Sequence, residues 1–315
     1  MKTAFLFPGQ GSQFVGMGRD LYESSAAARA IFDEANEVLG FSLTDIMFGT
    51  GGDPEAEADV LRQTQNTQPA LYVHSVAAWA ALGATASFDA AAGHSLGEYS
   101  ALAAAGAFSF ADGLRAVRLR GELMAEAGTR RPGTMAAVIG MEDAALEAIC
   151  QQASASGVGI VQPANFNSPG QIVISGDVPA VLHAMTRAQE AGAMKVVQLS
   201  VSGAFHSPLM EYAVEGLAAG LQNMTMQAPH VPVFLNVTAA PTQDPDFIRT
   251  QLLAQLTAPV RWAQILNNMH EAGIERYVEV GAGNVLSGLV KRTVGRKAHT
   301  TQIGTTDQVN KWLEA

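Results

Sequence analysis

The sequence predicts an α/β fold: a large domain built on a mainly parallel sheet, interrupted by a small inserted domain. Three observations lead there. Short apolar runs alternate along the chain with longer stretches whose apolar residues recur at helical spacing. The middle, from about Arg130 to Ser200, instead sets two short runs next to each other between two helical ones. And in "FDAAAGHSLGEYSALAAAGAF" (Phe88–Phe108) a serine, Ser95, stands between Gly93 and Gly97, where an apolar run meets an alanine-rich helical one.

In chain order, "TAFLF" (Thr3–Phe7) reads as a first strand stopped by Pro8-Gly9. Ile31, Phe32, Ala35, Val38 and Leu39 recur at helical spacing. "QPALYVHSVAAWAAL" (Gln68–Leu82) is apolar nearly all round, which predicts a buried helix with Pro69 near its first turn. "FDAAAG" is a short strand leading into Ser95, and "DGLRAVRLRGELMAEAG" (Asp112–Gly128) is a helix. The middle reads strand Thr134–Ile139, helix Asp143–Ala155, strand Val158–Ala164, strand Gln171–Ser175, helix Val178–Ala191 and strand Lys195–Leu199. The turn formers of "NFNSPG" join its central strands. That β-α-β-β-α-β order is the order of a ferredoxin-like unit. It divides the chain into a large domain of residues 1–129 and 200–315 and an insert of residues 130–199. "VPVFLNV" (Val231–Val237) and "RYVEVG" (Arg276–Gly281) are further strands, so the large sheet is parallel and covered on both faces.

Composition narrows the function classes. The chain has 315 residues, 48% hydrophobic and 15% charged, enough apolar material for a large core. Its one cysteine, Cys150, excludes an internal disulfide framework and points to a reducing cytoplasm. The first apolar run is too short for a signal-peptide core, and no run approaches the ~18 residues that span a bilayer. A formal net charge of −10 argues against nucleic acid as a partner. An acidic partner would need a local basic patch. Lys291, Arg292, Arg296 and Lys297 in "VKRTVGRK" and the Arg115/Arg118 pair offer one; the alternative is a solvated helix face.

The chemistry centres on Ser95. Gly93-His94-Ser95-Leu96-Gly97 matches the G-x-S-x-G nucleophile elbow, a sharp strand-to-helix turn whose flanking residues must be tiny. The hydroxyl then sits at a helix N-terminus, where backbone N–H groups can stabilise an oxyanion. The other reading is a tight glycine turn with an incidental serine. A serine needs a base. His94 is adjacent, but neighbours on an elbow point apart. His206, in the Gly/Ser-rich "SVSGAFHSPLM" after a strand and before a helix near Pro208, is the better candidate; as a loop histidine it could equally be a surface residue. No acidic third member is evident: Asp177 and Glu190 lie in the insert, and a carbonyl could orient the imidazole instead. Arg120 falls on the apolar side of its helix with Ala116, Leu123, Met124 and Ala127, whereas Arg115, Arg118 and Glu122 look solvent-facing. A guanidinium so placed needs an anion, either a structural ion-pair partner or a substrate carboxylate. "FPGQGSQFVGMGRDLY" lacks the third glycine of G-x-G-x-x-G, and neither a Walker pattern nor zinc spacing is present. Gln10 in that loop is placed to give a backbone N–H to an oxyanion hole.

Taken together, "FPGQGSQFVGMGRDL", "TQPALYVHS", "AGHSLGEYSALAAAGAFSF", "RLRGELM", "NFNSPGQIVISG", "VSGAFHSPLM", "QLTAPVRW" and "EVGAGNVLSGLVKR" resemble the malonyl-CoA:acyl carrier protein transacylase family. The resemblance implies an α/β-hydrolase-like large domain with a ferredoxin-like insert. It implies Ser95 as acylated nucleophile, His206 as general base and acid, and the N–H groups of Gln10 and Leu96 as oxyanion hole. It further implies Arg120 as clamp for the malonyl carboxylate, a Gln255 main-chain carbonyl orienting the imidazole, and Asn165 near the substrate. Phe205 in "GAFH" matches the form associated with malonyl rather than methyl-branched substrates. Ala282, where the family often has proline, is the one visible departure. Malonyl-CoA is then the substrate and the acyl carrier protein, bearing phosphopantetheine, the partner of a monomer with no bound cofactor or metal. Rival readings are a serine thioesterase or hydrolase, a free-standing acyltransferase serving polyketide synthase modules, and a non-catalytic carrier-protein-binding subunit.

Overall fold

A computed structural model of the chain describes residues 1–83 and 86–314. Its strands in chain order are β1 (Lys2–Phe7), β2 (Ala90–Gly93), β3 (Gly133–Ile139), β4 (Val161–Ser168), β5 (Gln171–Asp177), β6 (Lys195–Gln198), β7 (Val233–Phe234), β8 (Pro241–Thr242), β9 (Ile274–Val280) and β10 (His299–Ile303). They form two sheets. The larger runs β10-β9-β1-β2-β7-β8, parallel except for the β7–β8 edge. The smaller runs β4-β5-β3-β6 and is antiparallel throughout.

Both faces of the larger sheet are covered, and β1 shows why its sequence is apolar without alternation. Phe5 and Phe7 join the core that includes Leu71, Val73 and Leu102. Ala4 and Leu6 point the other way, into a cluster with Trp262, Ile265 and Leu266. Neither set meets water, so no position from Ala4 to Phe7 tolerates a polar side chain. Each buried Phe or Leu of this kind contributes about 1.5–3 kcal/mol. The smaller sheet has its own core, including Ala136, Leu146, Cys150 and Ile172, under the helices Asp143–Ala155 and Val178–Glu190. Burial pushes the Cys150 thiol up to about 12, so it behaves as a small apolar side chain.

Several expectations shift. The buried helix runs Thr64–Leu82, so Pro69 lies inside it rather than in its first turn. Proline leaves the Gln65 carbonyl without its helical donor, and Arg118 Nη1 supplies one at 2.8 Å. Arg118 is therefore only 24% exposed, not the solvent-facing residue that its spacing suggested. The run Val231–Val237 shrinks to a two-residue strand, because the chain turns back at Leu235–Ala239 and Asn236 is drawn elsewhere. The second strand of the middle region begins at Val161, after Gly157 and Gly159 with φ of 83° and 125°, and extends through Asn165 to Ser168. Only Pro169-Gly170 remains of the expected "NFNSPG" turn.

The smaller sheet meets the rest of the chain along β4, at a seam with the segment around Val260. Phe166 N–H donates to Val260 O at 2.9 Å and Val260 N–H donates to Ala164 O at 2.8 Å. Gln162 Nε2 donates to the carbonyls of His206 (2.9 Å) and Thr257 (3.1 Å). Among the described residues, no helix is long and apolar enough to cross a membrane.

Candidate active site

The backbone between β2 and the Gly97–Ala104 helix explains the small flanks of Ser95. A Cβ on Gly93 would stand 1.8 Å from the Gly97 carbonyl, and one on Gly97 would stand 2.1 Å from the Phe7 carbonyl. Strand, turn and helix approach more closely than any side chain allows. Ser95 is held at φ 51°, left-handed backbone that costs a non-glycine residue about 1–3 kcal/mol. The turn lifts its hydroxyl off the carboxyl end of the sheet.

His206 is the second residue in left-handed backbone, at φ 56°. Its Nε2 lies 2.8 Å from Ser95 Oγ and its Nδ1 lies 2.8 Å from the Gln255 carbonyl. A carbonyl only accepts, so Nδ1 carries the proton and Nε2 receives the serine O–H. The carbonyl supplies the orienting function for which no acidic residue was found. Burial, then the nearby Arg120 charge, lower the imidazole to about 3, so it is neutral at physiological pH.

Arg120 is 1% exposed, within the Phe110–Arg130 helix. Nη1 donates to Gln68 Oε1 at 2.7 Å, and Nη2 donates to Gln255 Oε1 at 2.9 Å and Ser95 Oγ at 3.1 Å. All three acceptors are neutral. No carboxylate pairs with it among the described residues. The nearby buried carboxyl, Glu98, is raised by burial to about 8 and so is protonated at neutral pH. Among the described residues Arg120 therefore has no direct ion-pair partner. A buried guanidinium stands beside a serine hydroxyl with its charge uncompensated.

Comparison with known proteins identifies the family. The acyl transferase domain family matches residues 4–310. A malonyl CoA-acyl carrier protein transacylase of Bacillus subtilis is 45% identical over 305 residues, covering 96% of this chain and 93% of that protein. One from Staphylococcus aureus is 39% identical over 313 residues, covering 99% of each. The chain belongs to the malonyl CoA-acyl carrier protein transacylase family. Among solved structures, the acyl-carrier-protein-S-malonyltransferase of Bartonella henselae superposes with a TM-score of 0.93 at 39% identity, covering 100% of this chain and 99% of that one. A malonyl-transacylase in complex with its type II PKS acyl-carrier protein superposes at 0.92 with 38% identity, covering 100% and 99%.

The remaining family positions are less uniformly gathered. Leu96 follows the serine and is buried; Gln10 follows Gly9, where a Cβ would stand 2.3 Å from the His94 carbonyl, so that loop lies against the elbow. Among the described residues neither the Gln10 nor the Leu96 amide N–H has an acceptor. Phe205 is buried beside His206. The Asn165 side chain makes no hydrogen bond to Ser95, His206 or Arg120; its backbone pairs with Val260, and it is Asn167 that reaches His94 Nε2 at 2.8 Å. Lys291, Arg292, Arg296 and Lys297 are all exposed. Arg292 Nη1 donates to Gln171 Oε1 at 2.6 Å, next to the seam along β4. Lys291 and Arg296 line a concavity of about 530 Å3 with Arg276 and His299.

Sequence reasoning missed Gln68, Glu98, Asn236, Gln162 and the side chain of Gln255. The signal for some was available: Asn236 is an amide inside an otherwise apolar run and Gln68 opens one, and burying an amide requires partners. Among the described residues, no group of three or more His, Cys, Asp or Glu could hold a metal ion.

Proposed function

We propose that this chain transfers the malonyl group from malonyl-CoA to the phosphopantetheine thiol of acyl carrier protein, through a malonyl-serine intermediate, to supply fatty acid biosynthesis. The observation that carries the reading is Arg120: buried, without a carboxylate partner among the described residues, and 3.1 Å from Ser95 Oγ. A free malonyl carboxylate completes it.

In the first half-reaction His206 Nε2 takes the serine proton as Oγ attacks the thioester carbonyl. The oxyanion accepts from the N–H groups of Leu96 and Gln10. Its collapse breaks the C–S bond, and the imidazolium returns the proton to the departing coenzyme A sulfur. The second half-reaction runs the same steps backward, with the carrier thiol giving its proton to Nε2 and attacking the acyl-serine. Arg120 acts twice. It binds the carboxylate, and while unpaired its charge helps to keep His206 weakly basic. Pairing with malonyl cancels that charge, so His206 becomes the stronger base when the correct substrate is present. Phe205 is read as the residue that suits a malonyl rather than a methyl-branched group, and Asn165 as a residue near the substrate.

The division into a large unit (residues 1–129 and 200–315) and a ferredoxin-like unit (130–199) rests on the two sheets, the smaller with its β-α-β-β-α-β strands paired in the order β4-β5-β3-β6. The acidic carrier is read as docking on Lys291, Arg292, Arg296 and Lys297, cations without an ion-pair partner among the described residues. Intact mass after mixing with malonyl-CoA tests the function. A malonyl adduct on the wild type but not on Ser95→Ala, discharged by holo-carrier protein, is expected. Free malonate with no lasting adduct would indicate a hydrolase and refute the transfer reading.

A further inference from the structure

Asn236 lies two residues beyond β7 and is fully buried. Its Oδ1 accepts from the Ser95 N–H at 2.7 Å, and its Nδ2 donates to the Gly93 carbonyl, also at 2.7 Å. Its own N–H donates to Glu98 Oε2 at 2.6 Å, and its carbonyl accepts from Arg261 N–H at 2.9 Å. The carboxamide thus spans the elbow from the residue that ends the strand to the serine itself. The Ser95 N–H can only donate and the Gly93 carbonyl can only accept, so the bridge requires an acceptor and a donor on one planar group. Leucine offers neither, and an ionised aspartate offers only the acceptor.

We infer that Asn236 is a positioning residue for the acyl-transfer step, holding Ser95 in its left-handed conformation and occupying its amide. This deepens the reading of Ser95 as nucleophile and rests on it. The serine carbonyl is already taken by Glu98 N–H (3.1 Å) and Gln255 Nε2 (3.1 Å). With its amide taken by Asn236, the main chain of Ser95 is fully used, and the oxyanion is left to Leu96 and Gln10. Releasing the amide would let φ relax out of the left-handed region and swing Oγ away from His206 Nε2 and Arg120 Nη2 together.

Asn236→Asp tests this by pH. When ionised, its second oxygen faces the Gly93 carbonyl and repels it; when protonated, that oxygen donates as Nδ2 did. The acylation rate of the variant, per folded molecule by near-ultraviolet circular dichroism, is divided by the wild-type rate at each pH. The wild type corrects for Glu98, His94, His206 and Arg120, which face the same elbow. Burial raises this carboxyl above its ordinary range, as it does Glu98, so the ratio should fall by at least about fivefold as pH rises from 5 to 9. A ratio that is flat with pH, at any level, overturns the proposal. Amide hydrogen exchange on the wild type needs no variant. The Ser95 amide should exchange slowly and be unchanged by malonylation, while those of Leu96 and Gln10 gain protection. A Ser95 amide that exchanges as freely as that of Leu96 in the unacylated enzyme overturns the proposal, even if Asn236→Asp does not fold. Failure of Ser95 as nucleophile would appear separately, as no adduct on the wild type.

Discussion

Neither ring nitrogen of His206 is free, and this makes a single residue legible in two ways. The sequence pointed to His206 through its Gly/Ser-rich turn, and the turn proves necessary because φ is 56° there. Its orienting partner was not readable from residue types, because a main-chain carbonyl leaves no mark in a sequence; only the family resemblance pointed to Gln255. Glu98 was passed over for a different reason. It follows the elbow as an ordinary helix-first-turn acid, and its burial depends on β7 and the Asn236 loop arriving from elsewhere. The two residues act oppositely on stability. His206 is about 3 when folded against an ordinary 6.5, so its contribution is present above 6.5 and lost as pH falls toward 3. Glu98 is about 8 against 4.5, so its contribution is present below 4.5 and lost as pH rises through 8. Thermal unfolding followed from pH 5 to 9 should therefore show a smaller alkaline loss in Glu98→Gln than in the wild type. Parallel curves would mean that Glu98 is ionised in the folded protein.

Among elements, the helix Asp143–Ala155 was read from apolar spacing to its observed limits, because its sequence period and its packing face coincide. The helix Thr64–Leu82 was not, because proline normally marks a first turn and here an arginine from another helix meets the orphaned carbonyl. This yields a test by double-mutant cycle. Arg118→Ala should destabilise the Pro69-containing chain by about 1.5–3 kcal/mol, the range for hydrogen bonds to charged groups. In Pro69→Ala, which restores the intrahelical N–H, the same change should cost clearly less. Equal costs in chemical denaturation would show that the Arg118–Gln65 bond does not compensate for the proline. The strand Val231–Val237 was overread for a related reason: apolar alternation cannot reveal that Asn236 is consumed in bracing the elbow.

At the scale of the whole molecule, three segments far apart in the chain converge on the Arg120 guanidinium of the Phe110–Arg130 helix: Gln68 from the proline-containing helix, Ser95 from the elbow and Gln255 from the loop before the seam. The α/β pattern was legible because it is local; this convergence was not, because no period encodes which loops meet. The exposed cations near the seam sit apart from that centre. Charge reversal of Arg292 together with Lys291 should raise the apparent KM for the carrier protein and leave the KM for malonyl-CoA unchanged; an unchanged carrier KM rejects this docking surface. The central claim is that an unpaired buried cation selects the carboxylated acyl group. Its most direct test compares kcat/KM for malonyl-CoA and acetyl-CoA in the wild type and in Arg120→Ala. Losing one partner of a buried pair costs about 3–5 kcal/mol, so malonyl transfer should fall by more than about a hundredfold while acetyl transfer holds or rises. Equal losses for the two substrates would contradict the account.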